Sequence, residues 1–188
     1  FRIAAFAGQI FSRMGAVPQQ VAGGDIYPAL EKGTIDAAEW VGPYDDEKLG
    51  FYKVAKYYYY PGWWEGGAML HNFINLDKWN ALPKSYQAVV KAASAEAHNW
   101  MTAKYDAMNP GAIKRLVANG AELRAFPQPV MEASYAATTA TYNEVSAANA
   151  EFKKVYDSMV AFRGDEYLWW QVAELGFDAF MVRMRQRG

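Results

Sequence analysis

Apolar and polar positions in the first part of the chain follow two periods in turn, one typical of strands and one typical of helices. Alternating apolar runs predict short strands at residues 2–5, 17–21 and 35–41. The stretches between these runs predict short helices at residues 8–14 and 26–32. Strands that alternate with helices in this way are typical of a parallel or mixed α/β sheet.

The second of these helices carries boundary signals, and three further elements follow it. Asp25 is predicted to cap the helix and Pro28 to lie in its first turn, where a missing N–H does no harm. Another short helix is expected at residues 45–53. The aromatic run at 54–64 and the run at 66–75 then predict two more strands.

The second half of the chain has mainly helical periodicity. A helical turn at residues 76–81 leads into a long amphipathic helix, which Pro110 is expected to kink or interrupt. A strand is predicted at 121–126 and a second long helix from there to about residue 162, where residues 163–165 break it.

A third helix is predicted at residues 167–182, and it is apolar around much of its circumference. A large apolar surface of this kind is not left exposed to water and marks an interface. The helix is therefore expected to dock either on its own domain or on a partner subunit, and the residues leave both possibilities open.

Composition narrows the class of protein. The chain has 188 residues, 19 basic and 20 acidic side chains and a net charge of −1, so nothing electrostatic predicts a nucleic-acid partner or an anionic membrane surface. It has no cysteine, which excludes disulfides and thiolate chemistry. No apolar run is long enough for a transmembrane helix. The first residue, Phe1, lies inside a strand-like run, so an upstream part with a signal peptide is expected.

Three charged side chains stand out among apolar neighbours. Arg2 could capture a carboxylate ligand through its planar fork of donors, or it could form a structural ion pair at a sheet edge. Glu39 needs a counter-ion, and a metal ion, Arg2 or a lysine would each serve. Glu65 presents the same problem between tryptophans and glycines. Two such glutamates could hold a hard cation, form unrelated salt bridges, or act as an acid–base pair on a sugar.

Three segments together resemble a known family. Residues 1–4, 17–30 and 33–46 are similar to the DctP-type extracytoplasmic solute-binding proteins of TRAP transporters, in particular the branch that binds 2-oxo and 2-hydroxy monocarboxylates with a metal ion. The resemblance implies a periplasmic-binding-protein-like α/β fold of two lobes. It also implies a periplasmic receptor, not an enzyme, that hands a small carboxylic acid to a membrane permease.

The resemblance also implies roles for individual residues. Arg2 matches the arginine that clamps the ligand carboxylate. Glu39, Glu65 and the main-chain carbonyl of Trp40 match the ligands of a cation, Na+ or Ca2+. Trp40, Tyr44 and Trp64 would form the walls of the pocket.

The implied organisation has four parts. Residues 1–53 form a ligand-binding lobe, and residues 54–82 cross over to the other lobe, which is mostly missing from this chain. Residues 83–163 supply long helices and a strand that complete the lobes, and residues 164–188 form a C-terminal helix that resembles the dimer-forming extension of the monocarboxylate branch. Two other interpretations remain open, a glycan-acting enzyme that uses Glu39 and Glu65 and a structural helical dimerisation module.

Overall fold

A computed structural model describes residues 1–67 and 69–186, and this part of the chain forms eight α-helices and two β-strands. The helices are α1 (Ala5–Arg13), α2 (Gly23–Glu31), α3 (Pro43–Leu49), α4 (Leu76–Ala81), α5 (Lys84–Ala118), α6 (Gln128–Ala148), α7 (Ala150–Trp170) and α8 (Gly176–Arg185). The strands are β1 (Tyr57–Tyr60) and β2 (Glu122–Ala125). No helix within the described ranges has an apolar stretch that could cross a membrane.

The chain divides into two compact units, Phe1–Ser134 and Tyr135–Gly188. The first unit contains α1 to α5 and both strands, which pair in parallel with Tyr57 opposite Glu122. This parallel pair agrees with the sheet type that the alternating pattern predicts. All six residues of the predicted site also lie in the first unit.

Three extended segments near the N-terminus lie side by side, with Arg2 in the middle. The Arg2 amide donates to the Ala37 carbonyl at 2.8 Å, and the Glu39 amide donates to the Arg2 carbonyl at 3.1 Å. On the other edge, the Ile3 amide donates to the Gln19 carbonyl at 3.2 Å. Both pairings are parallel single bridges. The strands predicted at 2–5, 17–21 and 35–41 are therefore reduced to isolated bridges at Arg2, Gln19 and Ala38, and Ala5 belongs to α1.

The core of this region is built where α2 covers the third extended segment. Ile26 from α2, Ile35 and Phe51 are buried against one another, and Trp40 packs on the cluster. These are the apolar positions that the helical and alternating patterns place on inward faces. The core therefore fixes the backbone that leads into Glu39 and Trp40.

The predicted cap of α2 is wrong. The helix begins at Gly23 after Ala22, so Asp25 lies in its first turn and Pro28 lies inside it. The two glycines before Asp25 adopt helical backbone and extend the helix toward the N-terminus. The Asp25 carboxylate still lies near the positive end of the helix dipole, where it is favourable.

The strand predicted at residues 66–75 is also wrong for the residues that the structure describes. Residues 66–67 and 69–75 form no strand, Ala68 lies outside the described residues, and Phe73 is 93 % exposed. A strand needs a neighbour for its backbone N–H and C=O groups, and apolar alternation alone does not supply one. This stretch has a strand pattern without a partner strand in the described part of the chain.

The long helix is not interrupted at Pro110, and the break predicted at residues 163–165 occurs elsewhere. Helix α5 runs through Pro110 without interruption, so the loss of one backbone hydrogen bond is tolerated in a helix of 35 residues. The second long helix breaks at Asn149, whose side chain accepts a hydrogen bond from the Phe152 amide at 2.9 Å. Residues 163–165 lie inside α7 instead. A single glycine destabilises a helix interior by about 1 kcal/mol. A strong side-chain cap can contribute more than this, so the helix boundary lies at Asn149 and not at the glycine.

Candidate ligand-binding site

Two nitrogens of the Arg2 guanidinium, Nη1 and Nε, donate to main-chain and side-chain oxygens. Its Nη1 forms an ion pair with the Glu39 carboxylate and also donates to the Glu39 carbonyl at 2.9 Å. Its Nε donates to the Val21 carbonyl at 3.1 Å. The Arg2 and Glu39 side chains are only 15 % and 14 % exposed. Of the counter-ions considered for Glu39, the structure therefore places Arg2 on it.

The Trp40 ring packs against the Arg2 guanidinium. The Arg2 Cζ atom lies 5.0 Å from the centroid of the Trp40 ring, within the range of a cation–π contact. The ring also lies against the start of α2, where a β-carbon at position 23 would come within 2.6 Å of Cη2 of Trp40. Gly23 is therefore a packing requirement of the site. The sequence gives the glycine but no sign of which ring it faces.

The electrostatic environment of Glu39 combines opposing influences. Burial raises the pKa of the Glu39 carboxyl above its ordinary value, although Arg2 and a side-chain hydrogen bond from Trp64 act in the other direction. The Glu65 carboxylate also raises the Glu39 pKa, so the two acids are close enough to repel. The structure thus brings together the two glutamates that the sequence treats as possible cation ligands.

The donor set fits a hard cation only if it includes oxygens from outside these side chains. In the described ranges, no three side chains of His, Cys, Asp or Glu are grouped as metal ligands. The carboxylates of Glu39 and Glu65 and the main-chain carbonyl of Trp40 are oxygen donors of the kind that Na+ or Ca2+ prefers. Such an ion takes six or more oxygens, so a ligand or water would complete its shell.

Trp64 belongs to an aromatic cluster beside the N-terminus. Its ring lies edge-on to Phe11 at 5.4 Å and to Phe1 at 6.5 Å between centroids, and it contacts Phe126 at 6.3 Å. Phe11 also packs on Trp63 at 4.9 Å. This cluster places Trp64 within reach of Glu39 and next to the segment that carries Arg2.

Helix α3 is fastened to α5 by polar contacts along its length. The Tyr44 amide donates to Asn109 Oδ1 at 3.0 Å, so a residue of α5 caps the first turn of α3. Tyr105 donates its hydroxyl to Asp45 at 2.6 Å. These contacts fix the loop between Trp40 and α3, because that loop is held by the core at one end and by α5 at the other.

The Tyr44 ring lies against α5 and its own helix. Lys48 Nζ lies 3.5 Å from the ring centroid, and the Tyr105 ring stands edge-on at 6.3 Å. A hydrogen bond with Lys48 lowers the pKa of the Tyr44 hydroxyl. The contacts that the structure gives this ring therefore do not include Arg2 or Glu39, and its role as a pocket wall stays a prediction.

Asp46 is a buried acid whose importance sequence reasoning missed. The Tyr58 hydroxyl donates to Asp46 Oδ2 at 2.5 Å, and Oδ1 is buried without a hydrogen-bond partner in the described part of the chain. Burial raises the pKa of Asp46 to about 6, with smaller contributions from Asp45 and Glu39. Asp45 and Asp46 both lie in the first turn of α3, and their adjacency in sequence does not reveal that only Asp46 is buried.

An open depression next to Arg2 could admit a small molecule. Its volume is about 260 Å³, and it is lined by Arg2, Ala4, Gln20, Val21 and Ala22. A second depression of about 410 Å³ is larger but contains none of the predicted site residues; it is lined by Asn72, Ile74, Trp79, Val90, Lys91 and Ser94. The smaller depression therefore leaves open space next to the Arg2 side chain.

Comparison with known proteins gives a consistent family. The family model described as bacterial extracellular solute-binding protein, family 7 (DctP), matches residues 1–149. The chain is 47 % identical over 179 residues to the monocarboxylate 2-oxoacid-binding periplasmic protein of Nostoc sp.. The aligned residues make up 95 % of this chain and 49 % of that protein. The resemblance seen in residues 1–4, 17–30 and 33–46 is therefore confirmed.

Solved structures agree with the family match. A TRAP transporter solute-binding protein from Bordetella bronchiseptica, a mixed-occupancy dimer with copurified calcium and picolinate, superposes with a TM-score of 0.92 at 49 % identity, covering 99 % of this chain and 55 % of that one. A TRAP periplasmic solute-binding protein from Pseudoalteromonas atlantica, with bound sodium and pyruvate, gives 0.87 at 33 % identity, covering 94 % and 54 %. The chain spans about half the length of these relatives.

Proposed function

The chain belongs to family 7 of the bacterial extracellular solute-binding proteins, the DctP family, and we propose that it forms the ligand-binding part of a TRAP-transporter receptor for a small 2-oxo or 2-hydroxy monocarboxylate. Members of this family are solute-binding proteins and not enzymes, which removes the acid–base role on a sugar. We further propose that the receptor works in the periplasm and delivers its ligand to a membrane permease.

Arg2 is the residue that carries this proposal. It is nearly buried, and its guanidinium lies over the Trp40 ring and beside an open depression. A planar guanidinium with reduced hydration is the group best suited to hold a carboxylate by two parallel hydrogen bonds. Its low exposure strengthens such a contact, because less water competes for the charge.

A cation at Glu39 and Glu65 would supply the second half of the affinity. A 2-oxoacid such as pyruvate offers one carboxylate and one keto oxygen, too little surface to bind tightly by contact area. Related proteins bind sodium with pyruvate and calcium with picolinate. In this chain Glu39, the Trp40 carbonyl and Glu65 would hold the ion, and it would polarise and orient the keto oxygen.

The organisation of the receptor follows from the same proposal. Residues 1–53 supply the ligand-binding surface, residues 54–82 cross to the other lobe, and residues 83–163 complete both lobes. The exposed apolar side chains within residues 69–74 support the crossover, because an edge strand of a second lobe would cover them. Lobe closure would then exclude water from Arg2 and present one shape to the permease.

We also propose a homodimer formed through the C-terminal segment, residues 164–188. Its exposed apolar residues, such as Val172 at 79 %, support this interface. Light scattering should show twice the protomer mass for the full-length protein and a single protomer for Val172→Glu or for deletion of residues 168–187. An unchanged mass for both variants would restrict this helix to packing within one chain.

Titration calorimetry tests the ligand. The full-length protein should bind pyruvate or a slightly longer 2-oxoacid in the presence of calcium or sodium. Arg2→Ala should weaken that binding by roughly 100-fold or more, because it removes a charged, nearly buried partner. Arg163→Ala is the matched control, since its side chain is exposed on α7. Binding that survives Arg2→Ala, or no binding of any 2-oxoacid, would refute the proposal.

A further inference from the structure

Under the proposed function the Glu39 carboxylate has two charged partners, Arg2 and a cation, and the structure shows it paired with Arg2. The proposed function needs the same carboxylate on a cation and the same arginine on a ligand. We propose, building on that function, that Glu39 is an exchange residue: without a cation it holds Arg2 in a closed ion pair, and a bound cation draws it away and releases Arg2 for the ligand carboxylate.

The hydrogen bonds of Arg2 show why the closed pair would obstruct binding. Nη1 donates to both the carboxylate and the carbonyl of Glu39, and Nε donates to the Val21 carbonyl. Only Nη2 has no hydrogen bond within the described ranges. A bidentate grip needs two neighbouring nitrogens of the guanidinium. With the ion pair closed, a carboxylate ligand therefore meets one available nitrogen instead of a fork.

The position of Glu65 gives the exchange its direction. Glu65 lies close enough to Glu39 to repel its charge, and it is exposed, whereas the Glu39–Arg2 pair is nearly buried. A cation arriving from solvent would meet Glu65 first and would then attract Glu39 through the same field. Leaving Arg2 unpaired would be unfavourable, so release of the arginine and arrival of the anionic ligand favour each other.

The exchange predicts an order of events. The cation should raise the affinity for the oxoacid by neutralising Glu39 and by releasing Arg2, beyond any direct contact that it makes with the ligand. By reciprocity, the oxoacid should raise the affinity for the cation by the same factor. A receptor built this way retains its ligand only where the cation is abundant.

Variants of Glu39 separate this exchange from simple cation binding. In a buffer with chelator and without sodium, Glu39→Gln and Glu39→Ala of the full-length protein should bind pyruvate about tenfold or more tightly than the unmodified protein, because Arg2 is no longer held by a carboxylate. Calcium should then improve binding little in either variant. A defect that is specific to one substitution would appear as a difference between the two variants.

Glu65→Gln removes the other proposed cation ligand and keeps the carboxylate that pairs with Arg2, so it should reduce the effect of calcium without the gain in calcium-free binding expected of the Glu39 variants. Glu96→Gln, at an exposed position of α5, is the matched control and should change calcium-free pyruvate binding by less than about threefold. If both Glu39 variants bind calcium-free pyruvate no more tightly than the unmodified protein, the exchange is refuted, while calcium-dependent binding by the unmodified protein would leave the proposed function standing. If the unmodified protein binds no 2-oxoacid even with calcium, both proposals fail.

Discussion

The N-terminal extended segments and the C-terminal helices use apolar side chains in opposite ways. Around Arg2, the apolar positions of α2 and the third segment are buried against one another, with Ile26 fully covered. In α7 and α8, large apolar side chains such as Phe177 at 63 % remain exposed. The first region buries its own apolar positions, and the second leaves many of its large apolar side chains exposed.

This difference separates two kinds of function. A site that must hold a guanidinium at a fixed place requires neighbours that cannot move, and the core under Trp40 provides them. An exposed apolar helix provides area without a fixed geometry, which suits association between surfaces. If so, substitutions in the two regions should differ in their effect on the free energy of unfolding, as the regions differ in burial.

The largest contrast should come from truncation of one apolar residue in each region. Ile26→Ala should lower the free energy of unfolding by about 2–5 kcal/mol, because it leaves a cavity in a closed core. Phe177→Ala should change it by less than about 0.5 kcal/mol in dilute protein. Urea denaturation measures both. Equal losses would show that the exposed helix is covered within one chain.

Asp46→Asn should reveal the cost of the buried acid near the site. The folded-state pKa of about 6 lies above the ordinary value of 3.8, so the folded state holds an extra proton between these pH values and loses stability as the pH rises through them. The variant lacks this loss. Its stability relative to the unmodified protein should therefore rise by up to about 3 kcal/mol from pH 4 to pH 7.

Stability curves from chemical denaturation at several pH values provide the measurement. A difference between Asp46→Asn and the unmodified protein that stays constant with pH would contradict the assignment of the raised pKa to Asp46.

A smaller effect is expected where the Trp40 ring rests on α2. Gly23→Ala should displace the ring and weaken 2-oxoacid binding by about tenfold, since overpacking typically costs about 1–3 kcal/mol. Gly24→Ala is matched in sequence and in helix position, and no atom lies within 4 Å of its added carbon. It should leave binding unchanged. Equal binding by the two variants would remove Trp40 from the support of Arg2.

The smallest effect should come from the cap that joins α3 to α5. Asn109→Ala should cost about 1 kcal/mol of unfolding free energy, because the Tyr44 amide loses its acceptor. Asn99→Ala, on an exposed position of α5, should be neutral or slightly stabilising. Thermal denaturation of the two variants side by side distinguishes these outcomes.

The sequence was informative wherever one local pattern agreed with burial. The three extended segments, the helical turn α4 and the strand β2 follow from alternation, periodicity and turn residues. The strand pattern at 66–75 failed because pairing depends on a neighbour that the pattern does not contain. Composition alone does not rank a side-chain cap against a glycine as a helix boundary. The sequence therefore did not reveal that a helix boundary lies at Asn149 and that α7 continues through Gly164.

The candidate site could be predicted only as a set of residue types. An arginine and a glutamate among apolar neighbours indicate that each needs a partner, and the structure pairs Arg2 with Glu39. The contact of Gly23 with the Trp40 ring and the burial of Asp46 depend on how distant segments pack. Such contacts have no signature at fixed spacing, so sequence reasoning could not find them.

A crystal structure of the full-length protein with pyruvate and calcium tests the central claim most directly. We expect the pyruvate carboxylate to accept two hydrogen bonds from the Arg2 guanidinium, and the calcium ion to be bound by Glu39, the Trp40 carbonyl and Glu65. The Glu39 carboxylate should then no longer be bonded to Arg2. Pyruvate bound elsewhere, or bound while Arg2 remains paired with Glu39, would contradict the claim.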